Sequence, residues 1–130
     1  MMVLVDTSVW IDFFRRVRPL DLESHVEFEE VVTCLPVVQE VLQGFRDESA
    51  FRVAREGLLS LPMVEAPLGM EVFETAVDLY RTARRAGQTV RSSVDCLIAA
   101  CALRHDLEVL HRDRDYTALA RISRLRERSV

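Results

Sequence analysis

Three aspartates of this chain lie at the ends of apolar segments. Asp6 follows an apolar run at the N-terminus, Asp95 lies near the start of a second apolar segment, and Asp113 comes shortly after a third. A carboxylate at the end of a buried element loses hydration unless a cation compensates its charge. If the chain gathers these side chains, a hard divalent metal ion suits their oxygen atoms. Such a site would support metal-dependent phosphodiester chemistry.

Each acidic residue also has an ordinary structural explanation when it is taken singly. Asp6 could form a turn or cap between a strand and a helix, and Asp95 ends a Ser-Ser-Val-Asp sequence that resembles a capping box. Glu40 points away from the apolar face of its helix, which is typical of a solvated glutamate. Either Asp113 or Asp115 could cap the helix that follows them.

A joint role for the acidic residues rests on their mutual repulsion. Carboxylates within about 4–6 Å repel each other by several kcal/mol per pair at an effective dielectric constant of about 20. A divalent cation removes this penalty, activates a water molecule and stabilises negative charge on a phosphate. Thr7, Ser8 and Ser93 could hold water or phosphate beside it, although ordinary helix capping is the better explanation of these residues. Asp115 is expected to cap a helix or to support a neighbouring ligand.

The composition is that of an ordinary globular protein. The chain has 130 residues, of which 49% are hydrophobic and 29% are charged, so we expect a single domain over residues 1–130. The formal charge of −4 argues mildly against unaided binding of a polyanion. Two divalent ions would add about +4 at an acidic site, which weakens that objection.

All 17 basic residues are arginines, and the chain contains no lysine. A mechanism that requires a lysine is therefore excluded, whereas the arginine side chain matches phosphate oxygens well. The three cysteines, Cys34, Cys96 and Cys101, lie in apolar contexts without zinc-site spacing, which indicates core thiols in a reducing compartment. Neither a signal peptide nor a membrane span is apparent, so a cytoplasmic protein is expected.

Strand and helix patterns alternate along the chain. This alternation predicts an α/β fold with a central parallel sheet of four to five strands flanked by helices on both sides. Asp6 and Asp113 each follow a predicted strand, and ligands of such sheets bind beyond the carboxyl ends of the strands. The predicted strands cover residues 2–6, 31–35, 63–65 and 107–110. A first helix is predicted after Thr7 and Ser8, and the later helices cover residues 20–30, 36–44, 47–60, 69–86, 94–104 and 115–121. The tail, residues 121–128, has no assignment.

Four segments in this order resemble the PIN domain: residues 3–10, 36–44, 95–100 and 110–116. At this length the chain is most similar to VapC-type toxins of type II toxin–antitoxin systems. The resemblance implies a PIN-like fold and an endoribonuclease that depends on Mg²⁺ or Mn²⁺. It also implies tRNA or rRNA as the substrate, with inhibition of translation and growth as the result.

The resemblance also implies the roles of individual residues. The catalytic acids would be Asp6, Glu40, Asp95 and Asp113, with Asp6, Asp95 and Asp113 as metal ligands, and Asp115 competes with Asp113 for the fourth position. Candidate RNA contacts are Arg15, Arg112 and Arg114, although a solvated basic surface is an alternative.

The implied partners are a second copy of the chain and a cognate VapB-type antitoxin whose C-terminal segment covers the active site. An aromatic stripe of Trp10, Phe13 and Phe14 could meet a partner helix or simply pack in the core.

Two other functions compete with the nuclease. A phosphatase or receiver-like domain with a phosphorylated aspartate also places an acid after the first strand, but it generally needs a lysine. A catalytically silent PIN-like module that binds a metal or a partner is compatible with every residue discussed above.

Overall fold

The computed structural model describes all 130 residues and contains one parallel sheet of five strands. The spatial order of the strands is β3-β2-β1-β4-β5, and every neighbouring pair is parallel. The predicted α/β fold with a central parallel sheet is therefore confirmed. The strands are β1 Val3–Val5, β2 Val31–Cys34, β3 Met63–Val64, β4 Glu108–His111 and β5 Arg126–Ser129.

The strand order reverses at β1. Strands β2 and β3 extend the sheet in one direction, whereas β4 and β5 extend it in the other. Because crossovers between parallel strands are right-handed, the two halves place their connecting helices on opposite faces of the sheet. The helices are α1 Thr7–Phe13, α2 Leu35–Gln43, α3 Glu48–Leu59, α4 Met70–Arg85, α5 Ser93–Arg104 and α6 Arg114–Arg121.

The core forms around β1 and α5. All three residues of β1 are buried, as the continuous apolar run predicts for a central strand. Helix α5 is buried on most of its surface, and its small side chains permit close packing against α4. The three cysteines are buried and form no disulfide, in agreement with core thiols. None of the helices has the length and apolar character that a membrane span requires.

The predicted helix over residues 20–30 is wrong. Two short 3₁₀ turns, Leu22–Ser24 and Phe28–Glu30, occupy this segment. Only Leu22 and Val26 are buried there, which is too narrow an apolar face to hold a three-turn helix against the core.

The tail that had no assignment forms the edge strand β5. Its polar side chains gave no strand pattern, yet its backbone pairs with β4 in parallel. Arg128 secures this strand, because its guanidinium donates to Glu108 Oε1 at 3.2 Å and to the His25 carbonyl at 2.7 Å. Charged side chains are common on edge strands, where they discourage pairing with other chains.

Candidate active site

The reversal of strand order between β1 and β4 creates a crevice at their carboxyl ends. Asp6 follows β1 and caps α1, while Asp113 follows β4 and caps α6. The two strand ends are joined directly, since the Asp6 amide donates to the Leu110 carbonyl at 2.9 Å. The topology therefore brings both aspartates to one edge of the sheet, as the sequence predicts.

Asp6 is 2% exposed and is held through both of its carboxylate oxygens. Its Oδ2 accepts from the Ser8 amide at 3.0 Å and from the Ser8 hydroxyl at 2.6 Å. Its Oδ1 accepts from the Tyr116 hydroxyl at 2.5 Å. Asp6 is thus both a helix cap and a fixed carboxylate in the crevice, so the two interpretations of this residue are compatible.

Asp95, Asp113 and Asp115 form an acidic triad. One oxygen of each carboxylate lies within 4.8 Å of the others, and Asp95 and Asp115 are only 5% and 1% exposed. Asp95 Oδ2 and Asp115 Oδ1 are buried without any hydrogen-bond partner. Buried oxygens without donors are costly, and a divalent cation is the partner that carboxylate oxygens fit. The donor set of the triad therefore fits a divalent metal ion.

The charges in the triad perturb the pKa of Asp95. Burial is the largest cause, and the negative charges of Asp6, Asp113 and Asp115 add to it, raising the pKa of Asp95 to about 8. Without a cation, Asp95 is therefore largely protonated at neutral pH. A bound cation would reverse this shift, because it favours the ionised carboxylate.

Asp115 takes a larger part in the site than the expected role of cap or support. Asp113 is the cap of α6, since its Oδ1 accepts from the Asp115 amide at 2.9 Å. Asp115 Oδ2 accepts from the amides of Arg91 and Ser92 at 3.0 and 3.2 Å, and its other oxygen belongs to the triad. The structure thus brings both candidates for the fourth acid together, while Asp6 lies beside the triad.

Glu40 reaches the crevice from α2. Its Oε1 accepts from the Thr7 hydroxyl at 2.7 Å, which places it next to the start of α1 and close to Asp6. The buried valines Val37, Val38 and Val41 hold the helix in this orientation. The hydroxyls of Thr7 and Ser8 are both used to hold acidic side chains. Ser93, by contrast, is exposed at the first position of α5.

The three candidate RNA-contacting arginines have different surroundings. Arg15 and Arg112 both pair with Asp12, and the Arg112 contact measures 2.5 Å. Arg114 is exposed and makes no ion pair, which leaves its guanidinium available. Of the aromatic stripe, Trp10 is buried, whereas Phe13 and Phe14 are partly exposed.

Tyr116 was assigned no role from the sequence, yet it links the two parts of the site. Its hydroxyl lies 2.5 Å from Asp6 Oδ1 and 3.3 Å from Asp95 Oδ1. Burial, followed by the charges of Asp6 and Asp95, raises the pKa of Tyr116 well above its usual value, so the hydroxyl stays protonated and remains a donor. In the sequence, the only indication of such a role is that Tyr116 directly follows Asp115. Only the fold shows where its ring points.

Replacing Tyr116 with phenylalanine is expected to destabilise the metal-free protein. A hydrogen bond to a charged group contributes about 1.5–3 kcal/mol, and its loss leaves Asp6 and Asp95 without a shared donor. Urea unfolding in EDTA measures the effect, with Tyr80→Phe on the partly exposed surface of α4 as the matched control. Equal unfolding midpoints for Tyr116→Phe and wild type would contradict this role of the hydroxyl.

Comparison with known proteins identifies the family. The family model of the PIN domain matches residues 3–123 of the sequence. The chain belongs to the PIN domain family. Ribonuclease VapC11 of Mycobacterium tuberculosis is 38% identical to this PIN domain over 136 aligned positions, and the alignment covers 98% of each chain.

Solved structures have the same fold. DNA-bound VapBC from Salmonella typhimurium aligns with a TM-score of 0.79 at 16% identity and covers 99% of this chain and 98% of that one. VapBC-5 from Mycobacterium tuberculosis aligns with a TM-score of 0.75 at 21% identity and covers all of both chains. PIN nucleases use divalent metal ions, and the acidic triad of this PIN domain can hold one.

Proposed function

We propose that this single-domain PIN protein is a metal-dependent endoribonuclease and the toxin of a type II toxin–antitoxin system. The observation that carries the proposal is the acidic triad at the strand-end crevice, in which two buried carboxylate oxygens accept no hydrogen bond. The similarity to VapC ribonucleases supports RNA as the substrate class. Cleavage of tRNA or rRNA would stop translation and thereby growth.

The acidic residues have two roles in this proposal: some hold the metal ion, and others orient the reactants. Asp95, Asp113 and Asp115 would hold Mg²⁺ or Mn²⁺, with Asp6 as a further ligand beside them. The ion, when bound, supplies Lewis-acid activation of water and stabilises the charge that develops on the phosphate. Ser8 and Tyr116 keep Asp6 in one orientation.

Glu40 is suited to orient the attacking water. Its Oε1 is held by the Thr7 hydroxyl, whereas its Oε2 accepts no hydrogen bond from the protein. The side chain is partly exposed, so the free oxygen can be reached from the crevice. A carboxylate in this position can align a water molecule and accept its proton.

An antitoxin is the proposed partner at the groove between α1 and α2. This cavity of about 250 Å³ is lined by Ile11, Phe14, Val41 and Phe45, and Glu40 forms part of its wall. A partner helix with apolar residues on one face would fill such a groove. Because Glu40 belongs to the wall, the same partner would also cover the catalytic acids.

A homodimer is proposed through the apolar face of α4. Met70, Phe73, Val77 and Tyr80 recur at helical spacing and are 39–70% exposed, which is unusual for large apolar side chains on one face. A second copy of this chain would bury the face. The mass of the protein in solution tests this proposal, and a monomer at high concentration would refute it.

The nuclease proposal predicts metal-dependent cleavage of RNA. Protein free of antitoxin is incubated with total RNA in Mg²⁺ or Mn²⁺, and the cleaved ends are mapped to identify the substrate. EDTA and Asp6→Asn are each expected to abolish cleavage, because the first removes the ion and the second removes a charged ligand. A wild-type protein that cuts no RNA would leave a catalytically silent binding module as the better interpretation.

A further inference from the structure

A polar cavity lies between the loop before α5 and helix α6. It measures about 520 Å³, within the range of roughly 300–1,000 Å³ that is typical of ligand sites. Arg114, Thr117 and Arg121 line one wall, and their spacing places them on one face of α6. Gln88, Thr89 and Arg91 line the other wall. We call this cavity the arginine groove.

The arginine groove concentrates positive charge on a protein whose formal charge is −4. No acidic residue lines it, and Ala118 is its only apolar residue. The Arg121 guanidinium donates only to the neutral side chain of Gln88, at 3.3 Å, and neither Arg114 nor Arg121 forms an ion pair. Two uncompensated guanidinium groups therefore face one concave surface, where their fields add.

Arg91 connects the arginine groove to the acidic triad. The Arg91 guanidinium lies 3.6 Å from Asp113 Oδ1 and 3.5 Å from Asp115 Oδ1. The Arg91 amide also donates to Asp115 Oδ2 at 3.0 Å, which fixes the loop beside the triad. A nucleic-acid strand that lies in the groove is therefore next to the loop that borders the triad.

We propose that the arginine groove binds the phosphodiester backbone of the RNA on one side of the cleaved bond. This inference rests on the proposed nuclease function and adds the path of the substrate to it. Planar guanidinium groups match phosphate oxygens in two-point contacts, and the threonine hydroxyls are additional donors. The groove lacks the apolar lining that a partner helix would require, in contrast to the groove between α1 and α2.

Arg114 and Arg121 each contact a phosphate in this arrangement. Arg91 has a different part, because its guanidinium pairs with Asp113 and Asp115 at the border between the triad and the groove. The bases of the strand are not contacted by these arginines, so the groove contributes affinity without reading the sequence.

The test compares Arg114→Gln/Arg121→Gln with Arg55→Gln/Arg124→Gln. Both double variants lose two positive charges, and all four arginines are exposed, so only the groove differs. Binding of a labelled single-stranded RNA of mixed sequence is measured by anisotropy in Mg²⁺ at several salt concentrations. Each protein carries Asp95→Asn to prevent cleavage, and far-UV circular dichroism confirms its fold.

The groove variant is expected to bind RNA about tenfold more weakly and to reduce the slope of log K against log salt by about 1.4, since each phosphate contact on a single strand contributes about 0.7. The control variant should keep most of the slope. In the cleavage-competent protein, the groove substitutions should raise KM and leave kcat nearly unchanged.

Equal slopes for the groove and control variants would overturn the inference. A loss of binding to an acidic peptide without loss of binding to RNA would also overturn it, because it would assign the groove to a protein partner. A different result would refute the proposed nuclease function itself: unmodified wild-type protein would cleave no RNA in Mg²⁺ or Mn²⁺.

Discussion

Replacing Asp95 with asparagine is expected to abolish RNA cleavage and, at the same time, to stabilise the metal-free protein. The loss of activity follows from the loss of a charged ligand, and the several kcal/mol that a catalytic ion supplies correspond to a rate decrease of roughly a thousandfold or more. The gain in stability follows because folding at neutral pH must protonate this carboxyl, whose pKa is raised to about 8 by burial and by repulsion from Asp6, Asp113 and Asp115. An amide of the same shape removes that repulsion and can donate to its neighbours.

Cleavage of total RNA and urea unfolding in EDTA at pH 7 measure the two effects on the same preparations. The expected gain in the free energy of unfolding at this pH is of the order of 4 kcal/mol, because pH 7 lies below the folded-state pKa of about 8 and about three units above the unfolded-state pKa of about 3.9, and each unit corresponds to about 1.4 kcal/mol. Asp78→Asn, on the exposed side of α4, makes the same chemical change outside the site. An active Asp95→Asn protein would remove this residue from the metal ligands, and a destabilised one would contradict the repulsion argument.

The stability of the metal-free protein is expected to fall as the pH rises from about 5 to about 7. The pKa of Asp95 is about 8 in the folded protein and about 3.9 in the unfolded chain, so the folded state holds a proton that the unfolded state has released. The free energy of unfolding therefore decreases by up to about 1.4 kcal/mol per pH unit in this window and levels off above about pH 8. Binding of Mg²⁺ near neutral pH should release about one proton, because the ion requires the ionised carboxylate.

Urea unfolding at successive pH values, with EDTA or with saturating Mg²⁺, separates this contribution from others. The decrease should be present in EDTA and smaller in Mg²⁺, and Asp95→Asn in EDTA should lack it. If the wild type and Asp95→Asn showed the same pH dependence in EDTA, Asp95 would not be the titrating group. Calorimetric titration in buffers of different ionisation enthalpy counts the released protons independently.

Much of the fold follows from local patterns in the sequence. A continuous apolar run such as 3–5 is typical of a strand that is buried on both faces of a parallel sheet, and an amphipathic segment such as 69–86 is typical of a helix that covers the sheet. The structure differs from the sequence prediction in two segments whose conformation depends on tertiary contacts. The segment 20–30 has too few buried residues to remain helical, and the polar tail becomes β5 because β4 offers it a free edge and Arg128 holds it there.

The sequence by itself predicted that Asp6 and Asp113 lie at the same edge of the sheet, because each follows a strand of a parallel sheet whose carboxyl ends share one edge. The resemblance to PIN domains added Glu40 and Asp95 to the predicted set of catalytic acids. Only the tertiary structure decided that Asp115 joins Asp95 and Asp113, that Tyr116 bridges Asp6 and Asp95, and that Arg91 faces the triad. These relations depend on how α5 and α6 pack against each other, and residues 21 to 24 positions apart have no local pattern that records their distance in space.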